Sequence, residues 1–192
     1  MDYKTWLGIT ATAIGLVSYI PYFKNILANK TKPHAFSWLI WGILTAIGFA
    51  GQVVGLAGPG AWVTGVTAII CFIIFFFALI KGERNIVLLD WLSLGGAFIA
   101  LLFWFITNGP LLSVILITLI DALGFLPTFR KAFIKPYEET GSTFFWGGVK
   151  FIIGLFALER VSIITAFYPL SIVVMNWVFV GMLVVRRRRL HN

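Results

Sequence analysis

Seven runs of apolar residues, each about the length that crosses a bilayer, leave this chain few ways to fold. Hydrocarbon offers the backbone no hydrogen-bond partner, so a crossing segment must satisfy its own N–H and C=O groups as a helix. About 20 residues span the hydrocarbon, or about 17 at the short limit. The runs are Trp6–Ile26, Ser37–Val54, Trp62–Ile80, Ile86–Ile106, Leu111–Phe133, Phe144–Leu158 and Ser162–Val185, the sixth being the shortest. Between them lie turn sequences, Gly58-Pro59-Gly60, Lys81-Gly82-Glu83-Arg84 and Asn108-Gly109-Pro110, in connections too short to hold a soluble domain. Only 11% of the 192 residues are charged, against about 25% in a soluble domain. Mean hydropathy is +0.97. The predicted class is therefore an all-α integral membrane protein with seven transmembrane helices.

The basic residues predict an orientation. Twelve of the 15 lysines and arginines fall on one side: Lys24, Lys30, Lys32, Lys81, Arg84, Arg130, Lys131, Lys135 and Arg186 to Arg189. Lys4 and Arg160 fall on the other. Basic loops stay cytoplasmic, so the N-terminus is expected outside and the C-terminus inside, in a bacterial inner membrane. The start does not read as a cleaved signal peptide, because Asp2 balances Lys4 and no small-residue cleavage site follows. The net charge of +8 is this topology signal plus a tail, Arg186–Arg189, expected to meet anionic lipid headgroups and not nucleic acid. The single Cys71 excludes an intramolecular disulfide.

The chain also matches itself at an offset of about 105 residues. Pro21-Tyr22-Phe23-Lys24 aligns with Pro127-Thr128-Phe129-Arg130, and Ser37, Trp41 and Gly42 align with Ser142, Trp146 and Gly147. This predicts a three-helix repeat over residues 1–84, a linker helix over 85–109, and a second three-helix repeat with the basic tail over 110–192. Helix four inverts the direction, so the copies are parallel. Parallel repeats mark transporters, with a solute site near the midplane where the copies meet.

The 3+1+3 layout, the N-out orientation, and Pro21 and Pro127 near one end of each repeat's first helix resemble the SWEET and PQ-loop superfamily. Asn176 resembles the pocket asparagine of SWEET sugar transporters, while Cys71 stands where a partner asparagine is expected. Tyr22 and Thr128 follow the two prolines, so the PQ dipeptide is absent. Trp38-x-x-Trp41 resembles the tryptophan-rich motif of bacterial nicotinamide riboside transporters. The resemblance implies a small polar solute, sugar- or vitamin-like, moved by alternating access. The superfamily also includes cargo receptors, which implies a receptor or sensor that binds without transport as the alternative.

Asp121 and Lys150 lie near the middle of helices five and six. Ionisable groups at that depth are paired, or face a wet cavity, and mark function. An Asp121–Lys150 ion pair is expected, either as part of a transport site or as a lock between two helices. Repeat counterparts are Gly15 for Asp121, Thr45 for Lys150 and Cys71 for Asn176. One cavity wall would then carry charge and the other be small, which suits a solute with an ionised end. Trp41 and Trp146 occupy equivalent positions, four residues before Thr45 and Lys150, and read either as a pair that sandwiches a ring or as tryptophans of the kind common at membrane interfaces. The predicted substrate-binding set is thus Asp121, Lys150, Asn176, Trp146, Trp41, Thr45 and Cys71, with Pro21 and Pro127 as hinges. Either proline reads equally as a static kink. Asp90 is expected to be solvated or paired with Arg84, and Gly42 and Gly48 to allow close helix packing.

No phosphate loop, His-Glu-x-x-His motif or Ser/His/Asp set appears, so an enzyme is not expected. His34 and His191 have no second ligand at useful spacing, so neither metal nor cofactor is expected. Transport comes first, by a downhill route or with a proton carried on Asp121. A receptor stands second, and an assembly subunit with a packed core third. Two repeats enclose a path within one chain, so a homo-oligomer is permitted but not required.

Overall fold

The computed structural model of the chain describes residues 2–106 and 110–191, and every regular element among them is helical. The helices are α1 (Tyr3–Ser18), α2 (Ile20–Leu27), α3 (Ala35–Val54), α4 (Trp62–Lys81), α5 (Leu88–Ile106), α6 (Pro110–Ile134), α7 (Gly141–Phe156) and α8 (Ile163–His191). Single 3-10 turns lie at Gly58–Ala61 and Pro136–Glu138. The turn expected at Asn108-Gly109 lies outside the described residues, as does the side chain of His191.

Among the described residues, four segments, Tyr3–Leu27, Ala35–Val54, Gly58–Lys81 and Ile163–Leu190, are long and apolar enough to cross a membrane. Gly141–Phe156 is a shorter apolar helix. Large apolar side chains such as Ile69, Phe76, Leu102 and Val174 stand exposed on the outer surface. A surface of this kind associates in water and is covered by acyl chains in a bilayer. The chain is an integral membrane protein.

Two boundaries differ from the sequence expectation. The first apolar run is not one helix but two, broken at Tyr19. Pro21 has no N–H for the carbonyl four residues back, and its fixed φ suits the first turn of the helix that restarts there. Pro127 lies inside α6 without ending it. At the C-terminus the helix continues through the arginines instead of fraying into a tail. Arg186 donates to the Phe133 carbonyl at 3.0 Å and lies 4.0 Å over the Phe133 ring. Arg187 donates to the Pro136 and Glu139 carbonyls at 2.8 and 2.6 Å. Of the four arginines expected to face lipid headgroups, Arg188 and Arg189 are the exposed ones.

The helices pack in two ranks. α3 lies against α4, and α7 against α8; α1 touches α4 and α7, and α6 touches α8 and α3. α5 packs on α6 and more lightly on α3. One apolar core gathers Tyr22, Trp38, Trp41, Phe125, Phe144 and Phe179. Another gathers Ala11, Leu44, Ile120, Phe151, Tyr168 and Ile172.

The two ends of this bundle are built differently. At the end holding the α2–α3, α4–α5 and α6–α7 connections, ion pairs link Lys32 to Glu138 (2.9 Å), Lys131 to Glu139 (2.5 Å), Lys135 to Glu83 (2.9 Å) and Arg130 to Asp90 (2.7 Å). Asp90 is buried and also accepts from the Val87 N–H, while Arg84 donates to the Ile80 carbonyl. The expected Asp90–Arg84 pair is therefore replaced by Asp90–Arg130: the α5 N-terminus turns the carboxylate inward, toward α6. His34 Nε2 lies 3.4 Å from the same carboxylate, and burial holds the imidazole below its usual pKa although Asp90 pulls it upward. Burial alone would raise the Glu83 carboxyl. Hydrogen bonds from the Asn85 N–H, the Lys135 ammonium and the Arg84 N–H outweigh it and hold Glu83 below the usual range.

At the other end the chain closes on small residues. A Cβ on Gly8 would meet Pro59 at 2.7 Å, and one on Gly60 would meet the Gly154 carbonyl at 2.7 Å. The Glu159 N–H donates to the Ala57 carbonyl at 3.0 Å, and the Gln52 side-chain amide to the Thr165 carbonyl at 3.1 Å. Gly58 takes φ +61 in this turn, where a Cβ would strain the backbone.

Candidate functional site

Between the two ends, where α1, α3, α4, α6, α7 and α8 meet, lies a cavity of about 50 Å³. At about 15 Å³ per site this holds about three waters. All 16 residues that line it are buried. Pockets that hold drug-sized ligands run to about 300–1,000 Å³, so in this conformation the cavity is too small for one.

One wall is built around Lys150 of α7, whose side chain is 1% exposed. Its Nζ donates to Thr67 Oγ1 at 2.8 Å and to the Tyr19 hydroxyl at 3.4 Å. The same Nζ sits 4.6 Å from the centre of the Tyr19 ring and 5.2 Å from that of Phe151, within cation–π range. Gly15 makes the space for its stem, since a Cβ there would lie 3.3 Å from Lys150 Cδ. Thr67 passes its own proton to the Val63 carbonyl at 2.6 Å, which leaves a lone pair for the ammonium.

The facing wall is built around Asp121 of α6. Tyr168 of α8 donates to its Oδ1 at 3.4 Å, and its Oδ2 is buried with no hydrogen-bond partner. Tyr168 reaches this position because residue 48 is glycine: a Cβ there would lie 2.6 Å from Tyr168 Cδ1. The close packing expected of Gly48 thus seats a cavity-lining side chain, and Gly42 likewise lies under the Phe72 ring.

The expected Asp121–Lys150 ion pair does not form. No contact within 4.0 Å joins the two groups, and each bonds instead to hydroxyls of its own wall. Equivalent depth brought both to one cavity, but the helices that carry them stand on opposite sides of it.

Five more expected residues take their places as follows. Trp41, Thr45, Cys71 and Asn176 line the cavity. The Asn176 amide donates to the Ile172 carbonyl at 2.8 Å, and the Thr45 hydroxyl donates to the Trp41 carbonyl. Cys71 is a buried free thiol. Trp41 sits 5.1 Å from Trp38, 4.5 Å from Phe125 and 6.2 Å from Phe144, ring centre to ring centre. Trp146 does not join it. It is 44% exposed on the outer surface against Phe145, so the expected Trp41–Trp146 sandwich is absent. The cavity-facing residues of α7, Thr143, Phe144, Gly147, Lys150 and Phe151, form an arc centred on Gly147. Each residue turns the helix by about 100°, which carries Trp146 past the edge of that arc. Of the two expected hinges, Pro21 stands exposed at the α1–α2 break and Pro127 is buried within α6.

Tyr19, Thr67, Phe125, Phe144 and Tyr168 line the cavity without having been singled out from sequence. Helical spacing carries their signal. Thr67 is four residues before Cys71, Phe125 four after Asp121, and Tyr168 eight before Asn176, each on the face of a residue already selected.

No family model matches the chain, and neither does any curated protein or solved structure.

Proposed function

We propose that the protein is a transporter that moves a small polar metabolite across the membrane by alternating access. The observation that carries this reading is the buried cavity itself. It is lined wholly by buried residues and holds a carboxyl and an amine that do not neutralise one another. A lock between two helices would pair those groups; a site for a passing solute leaves them for the solute.

In this reading seven helices cross the bilayer as two parallel three-helix repeats of SWEET-like architecture, α1–α2 with α3 and α4, then α6 with α7 and α8, joined by α5. The neighbour pattern supports the repeat. Exchanging the two sets turns the α1–α7 contact into α6–α3, α1–α4 into α6–α8, and α3–α4 into α7–α8, and all six contacts exist. The concentration of lysine and arginine at one end supports a cytoplasmic C-terminus. The small volume of the cavity, lined by buried residues, supports an intermediate between inward- and outward-open forms.

Cys71 provides the test without a mutation, because it is the chain's single cysteine and lines the cavity. In sealed vesicles, a membrane-impermeant thiol reagent added to one side and then the other should modify Cys71 from both. Uptake of labelled solute into proteoliposomes should follow, with a pH gradient separating downhill from proton-coupled flux. Modification from one side alone, with binding but no uptake, would make the protein a receptor. No modification from either side would end the transport reading.

A further inference from the structure

We propose that the cavity is built for a small zwitterion of the amino-acid class, with the carboxylate held at Lys150 and the ammonium at Asp121. This deepens the transport reading and rests on the same cavity.

The argument starts from charge. A buried ionised group is costly unless an opposite charge and hydrogen bonds compensate it. Lys150 and Asp121 line one cavity, both are buried, and no ion pair joins them. A neutral sugar compensates neither. A simple cation answers Asp121 and leaves Lys150, and a simple anion does the reverse. One solute carrying both signs answers both at once.

Each wall is equipped for one half of such a solute. Around Lys150, Thr67 has committed its proton to Val63 and its lone pair to the ammonium, so it fixes Nζ in place. The Tyr19 hydroxyl accepts from Nζ and keeps its own proton, ready to donate to a carboxylate oxygen beside the ammonium. Around Asp121, Tyr168 holds Oδ1 at 3.4 Å while Oδ2 is buried and free to accept from an N–H. The remaining lining includes the aromatic rings of Trp41, Phe125 and Phe144, which suit a short apolar side chain, beside the polar Thr45, Thr143 and Asn176.

The test begins with the wild-type protein in lipid nanodiscs and the twenty proteinogenic amino acids, read as thermal stabilisation and then as binding constants. At least one should bind. For the strongest, the amine lacking its carboxylate and the acid lacking its ammonium should each bind at least tenfold more weakly, because a site built around a charged group rejects the analogue that leaves it unanswered. In K150Q, the amino acid and the decarboxylated amine should bind alike; in D121N, the amino acid and the deaminated acid should bind alike. If either variant fails to fold, the analogue comparison on the wild type decides. Binding by no amino acid, or equal binding of the three wild-type ligands, overturns the proposal. Uptake of a neutral sugar such as glucose without amino-acid binding would overturn it and leave transport standing. Amino-acid binding with the expected analogue losses, but no flux into proteoliposomes, would uphold the zwitterion and overturn transport.

Discussion

At the end where α6 turns into α7, charged side chains tie four segments of the chain together; at the opposite end, where α3 meets α4 and α7 meets α8, backbone rests on backbone over glycines. Both arrangements flank the same cavity. At the charged end Lys131, Lys135, Arg130 and Lys32 each reach a carboxylate in another turn or helix, and the Thr31 and Thr140 hydroxyls meet at 2.6 Å. At the glycine end the spacing between Gly60 and Gly154 leaves no room even for a methyl group. Ion pairs can trade their partners for water as the loops part. Glycine contacts either form at full closeness or not at all, because close-packed contacts lose attraction steeply with distance. Opening at the charged end should therefore respond to charge, and opening at the glycine end to volume.

The largest effect that tests this contrast should come from Lys131→Met. Lys131 and Glu139 pair with side chains only 1% exposed on each partner, and Lys131 also donates to the Glu138 carbonyl at 2.8 Å. Removing one partner leaves a buried carboxylate uncompensated, which costs about 3–5 kcal/mol. Thermal melting of purified protein should fall accordingly, and Lys131→Met combined with Glu139→Leu should recover most of the loss. A single variant that melts like the wild type would show that charge does not hold this end. Next in size is Gly60→Ala. Its Cβ would lie 2.7 Å from both the Gly154 carbonyl and Leu158 Cδ2, so overpacking should cost about 1–3 kcal/mol. Gly51→Ala, with nothing within 4 Å of its added Cβ, is the matched control and should be neutral or stabilising.

Much of this architecture is legible in the sequence, for reasons that also mark where legibility stops. Hydropathy and length follow from burial in hydrocarbon, so the apolar runs locate the helices to within a few residues. The split at Tyr19 is less visible, because Pro21 and Pro127 look alike in sequence and only the first ends a helix. Depth along a helix is a one-dimensional quantity, and it is enough to group Asp121, Lys150, Asn176, Thr45, Cys71 and Trp41, which line one cavity. Azimuth is not: whether Trp146 faces in or out is decided by where Gly147 lets Asn176 approach, with only 2.8 Å between a Cβ there and Asn176 Oδ1. Across the cavity neither quantity reports which hydroxyls are near. That is why the sequence favoured a direct Asp121–Lys150 bond and did not find Tyr19 or Tyr168. The Arg130–Asp90 link was hidden for the same reason, since it joins residues 40 apart in different helices.

A smaller effect should separate the two ends by pH. His34 is fully buried at the charged end, facing Asp90 from α5 and Arg130 and Lys131 from α6. Burial holds its pKa below the ordinary 6.5. The unfolded chain therefore binds a proton that the folded chain refuses, so this stability is present above pH 6.5 and is lost as pH falls from there through the lowered pKa of the folded state. Glu83 acts lower down. Its hydrogen bonds hold it below 4.5, so its contribution is present above that pH and is lost as the carboxyl protonates. Melting temperature against pH should then decline in two steps. His34→Gln should remove the upper step and keep the lower, whereas Gly60→Ala should lower the whole curve without changing its shape. A curve whose shape changes equally in both variants would mean that the ends are not independent.

The smallest expected effect is that of Lys32→Gln, and it sharpens the comparison from within the charged end. Lys32 meets Glu138 at 2.9 Å, as close a contact as several of its neighbours make, but the two side chains are 39% and 29% exposed. The Glu138 hydrogen bond favours the charged ammonium. Water and salt nonetheless screen a pair in this position, and ordering two long side chains offsets most of the attraction. Melting should therefore be unchanged within error, and added salt should not alter that result. A loss comparable to that of Lys131→Met would place Lys32 in the same water-excluded network. Closure at this end would then depend on the number of ion pairs, and not on the buried Lys131–Glu139 pair alone.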